Sequence, residues 1–255
     1  MNKKTLVITL LFILISSFVF GDKDEDFLLA VKKGNLDAVK KVLIYQKAWK
    51  YYKDKYGRQA HHIAAQMGYT DILEYLIKIG LQVNAVDDMN WTPLHCAAHT
   101  GQLSSVELLL KYKAKIDPEA NVGETPLLLA AYKGNINVFK YLIEKGARTD
   151  VKDIQGNSLL HAAAYSGEFE IVKYIVEDME FDINSENVYG WTPLHRAAYA
   201  GNLEVVKYLI EKGADIEKKT TTAWKKYDEN ITALEVSKIK KNEKVEEYLE
   251  SIPGN

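Results

Sequence analysis

Cysteine is almost missing: Cys96 is the single example in a chain of 255 residues. One thiol excludes an internal disulfide and any zinc site built on cysteines. Its setting, "LHCAAH", reads as that of a small buried residue, the commonest role for a lone cysteine. A surplus of positive charge is missing too. Lysine and arginine number 33 against 35 acidic residues, a net charge of −2, so no basic field favours nucleic acid. There is no G-x-S-x-G turn for a serine nucleophile and no phosphate-binding loop. What is present is ordinary for a folded soluble protein, 47% apolar and 27% charged, with one bias: 16 tyrosines.

The N-terminus stands apart. "MNKK" carries two positive charges, and the uncharged run "TLVITLLFILISSFVF" comes next. As a helix, Leu6 to Phe20 reaches only about 22 Å, short of a bilayer core of about 30 Å. The layout is that of a secretory signal peptide over residues 1–21, cut after Gly21 with Val19 at the −3 place. The expected location is therefore periplasmic or secreted. The alternative is an uncleaved segment that anchors the chain in a membrane.

Beyond it the chain repeats itself. "WTPLHCAAHTG" at residues 91–101 returns as "WTPLHRAAYAG" at 191–201. Aligned on the histidine of that phrase, the slot is filled by His62, His95, Leu128, His161 and His195, in steps of 33, 33, 33 and 34. Degenerate copies place Leu28 before the array and Glu235 after it. At Thr92-Pro93, Thr125-Pro126 and Thr192-Pro193 the threonine suits a helix N-cap and the proline the first turn. Leu94, Ala97 and Ala98 share one helical face by their spacing, and Gly101 ends the helix in a left-handed cap. A second helix comes directly after, with Leu203, Val206, Leu209 and Ile210 on one side and Glu204, Lys207 and Glu211 on the other. A tight turn at Gly57, Asn90, Gly123, Gly156 or Gly190 leads into the next first helix.

The pattern D-x-x-G-x-T-P-L-H-x-A-A-x-x-G, then a leucine-rich helix and G-A-D, resembles the ankyrin repeat over residues 24 to 250. The expected fold is all-α: a solenoid of helix–turn–helix units joined by projecting β-turn or hairpin loops. The expected domains are the signal at 1–21, an N-terminal capping repeat at 22–52, five repeats at 53–218, and a C-terminal capping repeat and tail at 219–255. Three local departures fall in loops: Ala120 at the turn aspartate, Lys113 at a helix-ending glycine, and one extra residue near "EDMEFDIN". The charged tail "KIKKNEKVEEYLES" suits a polar cap.

The histidines tempt a metal or catalytic reading, but Leu128 fills the same slot in one unit. Packed helices lie about 8–10 Å apart, whereas two ligands on one zinc each sit about 2.0–2.1 Å from it. The resemblance implies instead that they bond the turn and the adjacent repeat. No metal, cofactor or catalytic role is expected.

The resemblance also places a protein-binding surface on the turn tips and the concave face of the first helices. Read onto this chain, the partner-binding candidates are Tyr56, Arg58 and Met67, then Met89, Trp91 and His99, then Tyr132 and Lys133, then Tyr165, and last Tyr189, Trp191 and Tyr199. The slot after Ala-Ala reads Gln66, His99, Tyr132, Tyr165, Tyr199, a nearly aromatic stripe expected to face water. Aromatic residues dominate interface energetics. Trp49 aligns with Val83, Ile116 and Ile216 and is expected to be packed, and Tyr51 and Tyr52 fall in a projecting turn among lysines too few to suggest nucleic acid. The expected partner is a protein, bound by a monomer.

Overall fold

The computed structural model describes residues 23–45, 47–179, 181–222 and 229–252. The expected export segment and the Trp49 side chain lie outside the described residues. Among the described residues fourteen α-helices succeed one another in pairs: α1 (Lys23–Lys32) with α2 (Leu36–Tyr45), α3 (Ala60–Met67) with α4 (Thr70–Lys78), and α5 (Pro93–Thr100) with α6 (Leu103–Lys111). Then come α7 (Pro126–Tyr132) with α8 (Ile136–Glu144), and α9 (Leu159–Ser166) with α10 (Phe169–Asp178). The last are α11 (Pro193–Ala200) with α12 (Leu203–Glu211), and α13 (Ala233–Lys240) with α14 (Glu243–Glu250). A short 3-10 turn covers Lys47–Tyr51. Among the described residues there is no strand, only an isolated antiparallel bridge between Lys53 and Gln59. The all-α expectation holds.

Local chemistry starts and stops each first helix. The Thr92 hydroxyl accepts from the His95 N–H at 3.4 Å, while the Thr92 N–H donates to His95 Nδ1 at 3.0 Å. Two of the N–H groups that a helix start leaves bare are thus satisfied by one reciprocal pair. Thr192 with His195 and Ser158 with His161 repeat the arrangement. Gly101 closes α5 at φ 74°, in the left-handed region open to glycine without penalty. Lys113 and Asn90 adopt the same region, φ 65° and 63°, so the lysine that replaces a helix-ending glycine keeps the turn geometry.

The first helices stack in one row, α3 on α5 on α7 on α9 on α11 on α13, and the second helices pack behind them. Paired alanines make that row close. Ala97, Ala98, Ala130, Ala131, Ala163, Ala164, Ala197 and Ala198 have no exposed surface. One continuous apolar core runs from Phe27 to Leu249. Burying a leucine or valine contributes about 1.5–3 kcal/mol, so the stack is held mostly by contacts between neighbours. Tyr75, Tyr141 and Tyr174 on the second helices are half-buried, and Tyr208 is buried.

The turn tips are stitched to one another by backbone. The Asp88 N–H donates to the Tyr56 carbonyl at 3.1 Å, Asn121 to Met89 at 3.1 Å, Ile154 to Val122 at 2.9 Å, Val188 to Gln155 at 3.0 Å and Thr221 to Tyr189 at 3.0 Å. At the third tip Ala120 supplies no side-chain acceptor. In the tip before it, Asp87 Oδ1 accepts from the N–H groups of Met89 and Trp91. The backbone turn at Ala120 survives regardless, with its N–H on the Glu124 carbonyl at 2.9 Å.

Candidate functional site

The slot histidines are structural. His95 Nδ1 is occupied by the Thr92 N–H, so Nε2 carries the proton and donates to the Glu124 carbonyl of the next turn at 3.1 Å. His62 reaches the Ala85 and Trp91 carbonyls, His161 the Trp191 carbonyl and His195 the Ile231 carbonyl. Burial pushes their pKa values down, His95 and His195 to about 4 and His161 to about 3. His95 and His99 are four apart on α5, a spacing that suits a two-histidine metal face and that alignment by slot passes over. Both nitrogens of His95 are already committed, and among the described residues no three His, Cys, Asp or Glu gather as metal ligands.

The groove between the first helices and the turn tips holds a cleft of about 400 Å³. Trp91, His99, Tyr132, Lys133, Tyr165 and Tyr199 line it together, with Glu124, Asp153, Gln155, Asn157 and Arg196. The three tyrosines occupy one slot on α7, α9 and α11, so the stacking of helices stacks their rings. Tyr132 and Tyr165 lie 5.1 Å apart at 16°, and Tyr165 and Tyr199 6.0 Å apart at 29°. Such offset pairs are worth about 0.5–1.5 kcal/mol beyond area burial. Burial first, and the Tyr165 hydroxyl second, push the Tyr132 phenol above its usual range.

The other expected contact residues scatter. Tyr56 and Met89 are each 53% exposed, on turn tips, and Met67 is 45% exposed at the end of α3; none of the three lines the cleft. Arg58 is held at home: its guanidinium bonds Asp54 Oδ2 at 2.7 and 2.9 Å and Gln66 Oε1 at 2.9 Å. Tyr189 is half-buried against the last turn.

Trp191 corrects the expectation that it faces water: it is only 1% exposed. Its indole is covered by Ile231 and Val236 of the C-terminal segment. Tyr199 meets it edge-on at 5.6 Å, and the Arg196 guanidinium sits over it at 5.3 Å. Trp91 has the same place in its own unit but stays half-buried, tilted against His99 at 5.1 Å.

Arg196 is the residue that slot reading missed. It is 6% exposed. Its Nη2 donates to Asn157 Oδ1 at 2.8 Å and Gln155 Oε1 at 3.0 Å, and its Nε to Asn157 Oδ1 at 3.2 Å. The place after the slot histidine is Ile63, Cys96, Leu129 and Ala162 in the other units. A lone arginine in an otherwise apolar slot is the signal that would have found it. Cys96, in that slot, is buried as expected, and burial pushes its thiol up to about 12.

The comparisons agree with this architecture. The family model described as ankyrin repeats matches in three copies, over residues 27–122, 85–153 and 127–220. The chain belongs to the ankyrin-repeat family. It is similar to the rat and mouse 26S proteasome non-ATPase regulatory subunit 10, 37% identical over 60 residues in each. That stretch is 24% of this chain and 26% of each relative. It is also similar to the mouse protein phosphatase 1 regulatory subunit 12A, 51% identical over 41 residues, which is 16% of this chain and 4% of the relative. The chain thus covers about a quarter or less of these curated relatives.

Proposed function

We propose that the protein is a non-enzymatic scaffold that binds a protein partner in the groove between its first helices and turn tips, in an extracytoplasmic compartment. The observation that carries the reading is the cleft itself. Trp91, Tyr132, Tyr165 and Tyr199 line it after the packing between repeats is complete, and Tyr132 remains 40% exposed. Exposed aromatic surface of this kind marks partner sites. The relatives named as regulatory subunits favour a partner protein over a small substrate.

The test is affinity capture from the extracytoplasmic fraction with a Trp91→Ala, Tyr132→Ala, Tyr165→Ala triple variant. Trp191 is left intact because it is part of the core. Capture is lost while the helical circular dichroism is unchanged; equal capture by the triple variant removes the proposal. The compartment rests on the charged start and apolar run of residues 1–21. The second reading, a scaffold tethered by that segment, rests on the same residues. Mass spectrometry of the exported protein separates them: an N-terminus near Asp22 means release, and an intact Met1 means tethering.

A further inference from the structure

Glu124 sits at the wall of the cleft in the turn before α7. Its Oε2 is buried without a hydrogen-bond partner, as is the Trp91 indole Nε1. Burial pushes the Glu124 carboxyl up, and the like charge of Asp153 pushes it the same way. The other charged groups of the cleft are engaged elsewhere. Asp153 Oδ1 accepts from the N–H groups of Gln155 and Asn157, both at 2.9 Å, and Oδ2 from Asn157 Nδ2 at 2.8 Å. Arg196 holds the side-chain oxygens of Gln155 and Asn157. Lys133 lies exposed over the Tyr132 ring, 5.5 Å from its centre. Burial, and then the Lys133 charge, push the His99 pKa down. What the cleft offers an incoming group is therefore a carboxylate oxygen in want of a donor, beside aromatic faces.

We infer that the cleft receives a basic side chain of the partner protein, an arginine or lysine, with the Glu124 carboxylate as its counter-charge and the Trp91 and Tyr132 rings as its walls. A cation within about 6 Å of a ring face is attracted to it, and a guanidinium pairs a carboxylate through parallel N–H bonds. The inference rests on the protein-binding reading and can fail separately from it.

The experiment uses the whole protein and three acetylated, amidated pentapeptides, each with two glycines on either side of a central arginine, citrulline or glutamate. Citrulline keeps the shape of arginine without its charge. Binding is read from the Trp91 indole N–H resonance, assigned with Trp91→Phe. The arginine peptide shifts that resonance and binds about tenfold more tightly than the citrulline peptide, the scale of one charge-assisted bond. Glu124→Gln erases the tenfold difference while the melting temperature stays that of the parent. Equal binding of citrulline, tighter binding of the glutamate peptide, or an undiminished arginine preference in Glu124→Gln overturns the inference. If any of these is seen while partner capture persists, the scaffold stands and only this inference falls.

Discussion

Two aromatic residues that look alike in sequence behave in opposite ways. Trp191 is sealed under Ile231 and Val236, whereas Tyr132 presents 40% of its surface. Trp191→Ala is expected to cost about 3–5 kcal/mol, as truncation of a large buried ring does. Tyr132→Ala should cost about 1 kcal/mol or less, the loss of one stacked pair. Urea denaturation of the two variants checks both numbers; equal losses would mean that the exposure assignment is wrong. Slots could be read from the chain, but their coverage could not. Trp91 and Trp191 both open the same five letters, WTPLH, and the difference lies 40 residues downstream of Trp191, where Ile231 arrives after an insertion. Arg196 stands out in its slot, but its partners do not: Gln155 and Asn157 belong to the preceding turn.

At the scale of the helix, the asparagine that opens three of the second helices also closes the first helix of the unit before. Asn135 Nδ2 donates to the Ala98 and His99 carbonyls at 2.8 and 3.1 Å. Asn202 does the same for Ala164 and Tyr165, both at 2.9 Å, and Asn242 for Ala198 and Tyr199 at 2.7 and 3.1 Å. Carbonyls at a helix end need such donors. Glu168 holds this place before α10 and, as a carboxylate, has no proton to give. Glu168→Asn is therefore expected to stabilise the fold by about 0.5–1.5 kcal/mol, read as a raised denaturation midpoint. Asn202→Ala should cost about 1–3 kcal/mol by leaving two carbonyls unpaired. A midpoint unchanged in both variants would show that these bonds are replaced by water. Helix positions, caps and the 33-residue step are legible in the chain, because each depends on residues within one unit. The asparagine bonds are not, since donor and acceptor stand 36 to 44 positions apart.

Across the molecule, the row of buried histidines links stability to pH. Burial holds His61 and His161 at about 3 and His95 and His195 at about 4, and lowers His62 as well. In the unfolded chain each titrates near about 6.5. The unfolded state thus binds more protons below that pH, so stability is level above it, declines as pH falls through it, and keeps declining until the folded values are reached. Each unit of depression is worth about 1.4 kcal/mol. A proton on Nδ1 would also face the N–H of Thr92 and its counterparts, undoing the helix start. The melting temperature should therefore drop steadily from about pH 7 to about pH 5, and His161→Leu, which copies the slot of Leu128, should reduce that slope; a level curve would contradict both. The stitched turn tips have a mechanical corollary. Each tip hangs from its neighbour by a backbone amide, and the helices pack mainly within a unit or onto the next one. Pulled from its ends, the chain is expected to lengthen in instalments, one unit of 33 residues at a time, each releasing roughly 100 Å of extended chain.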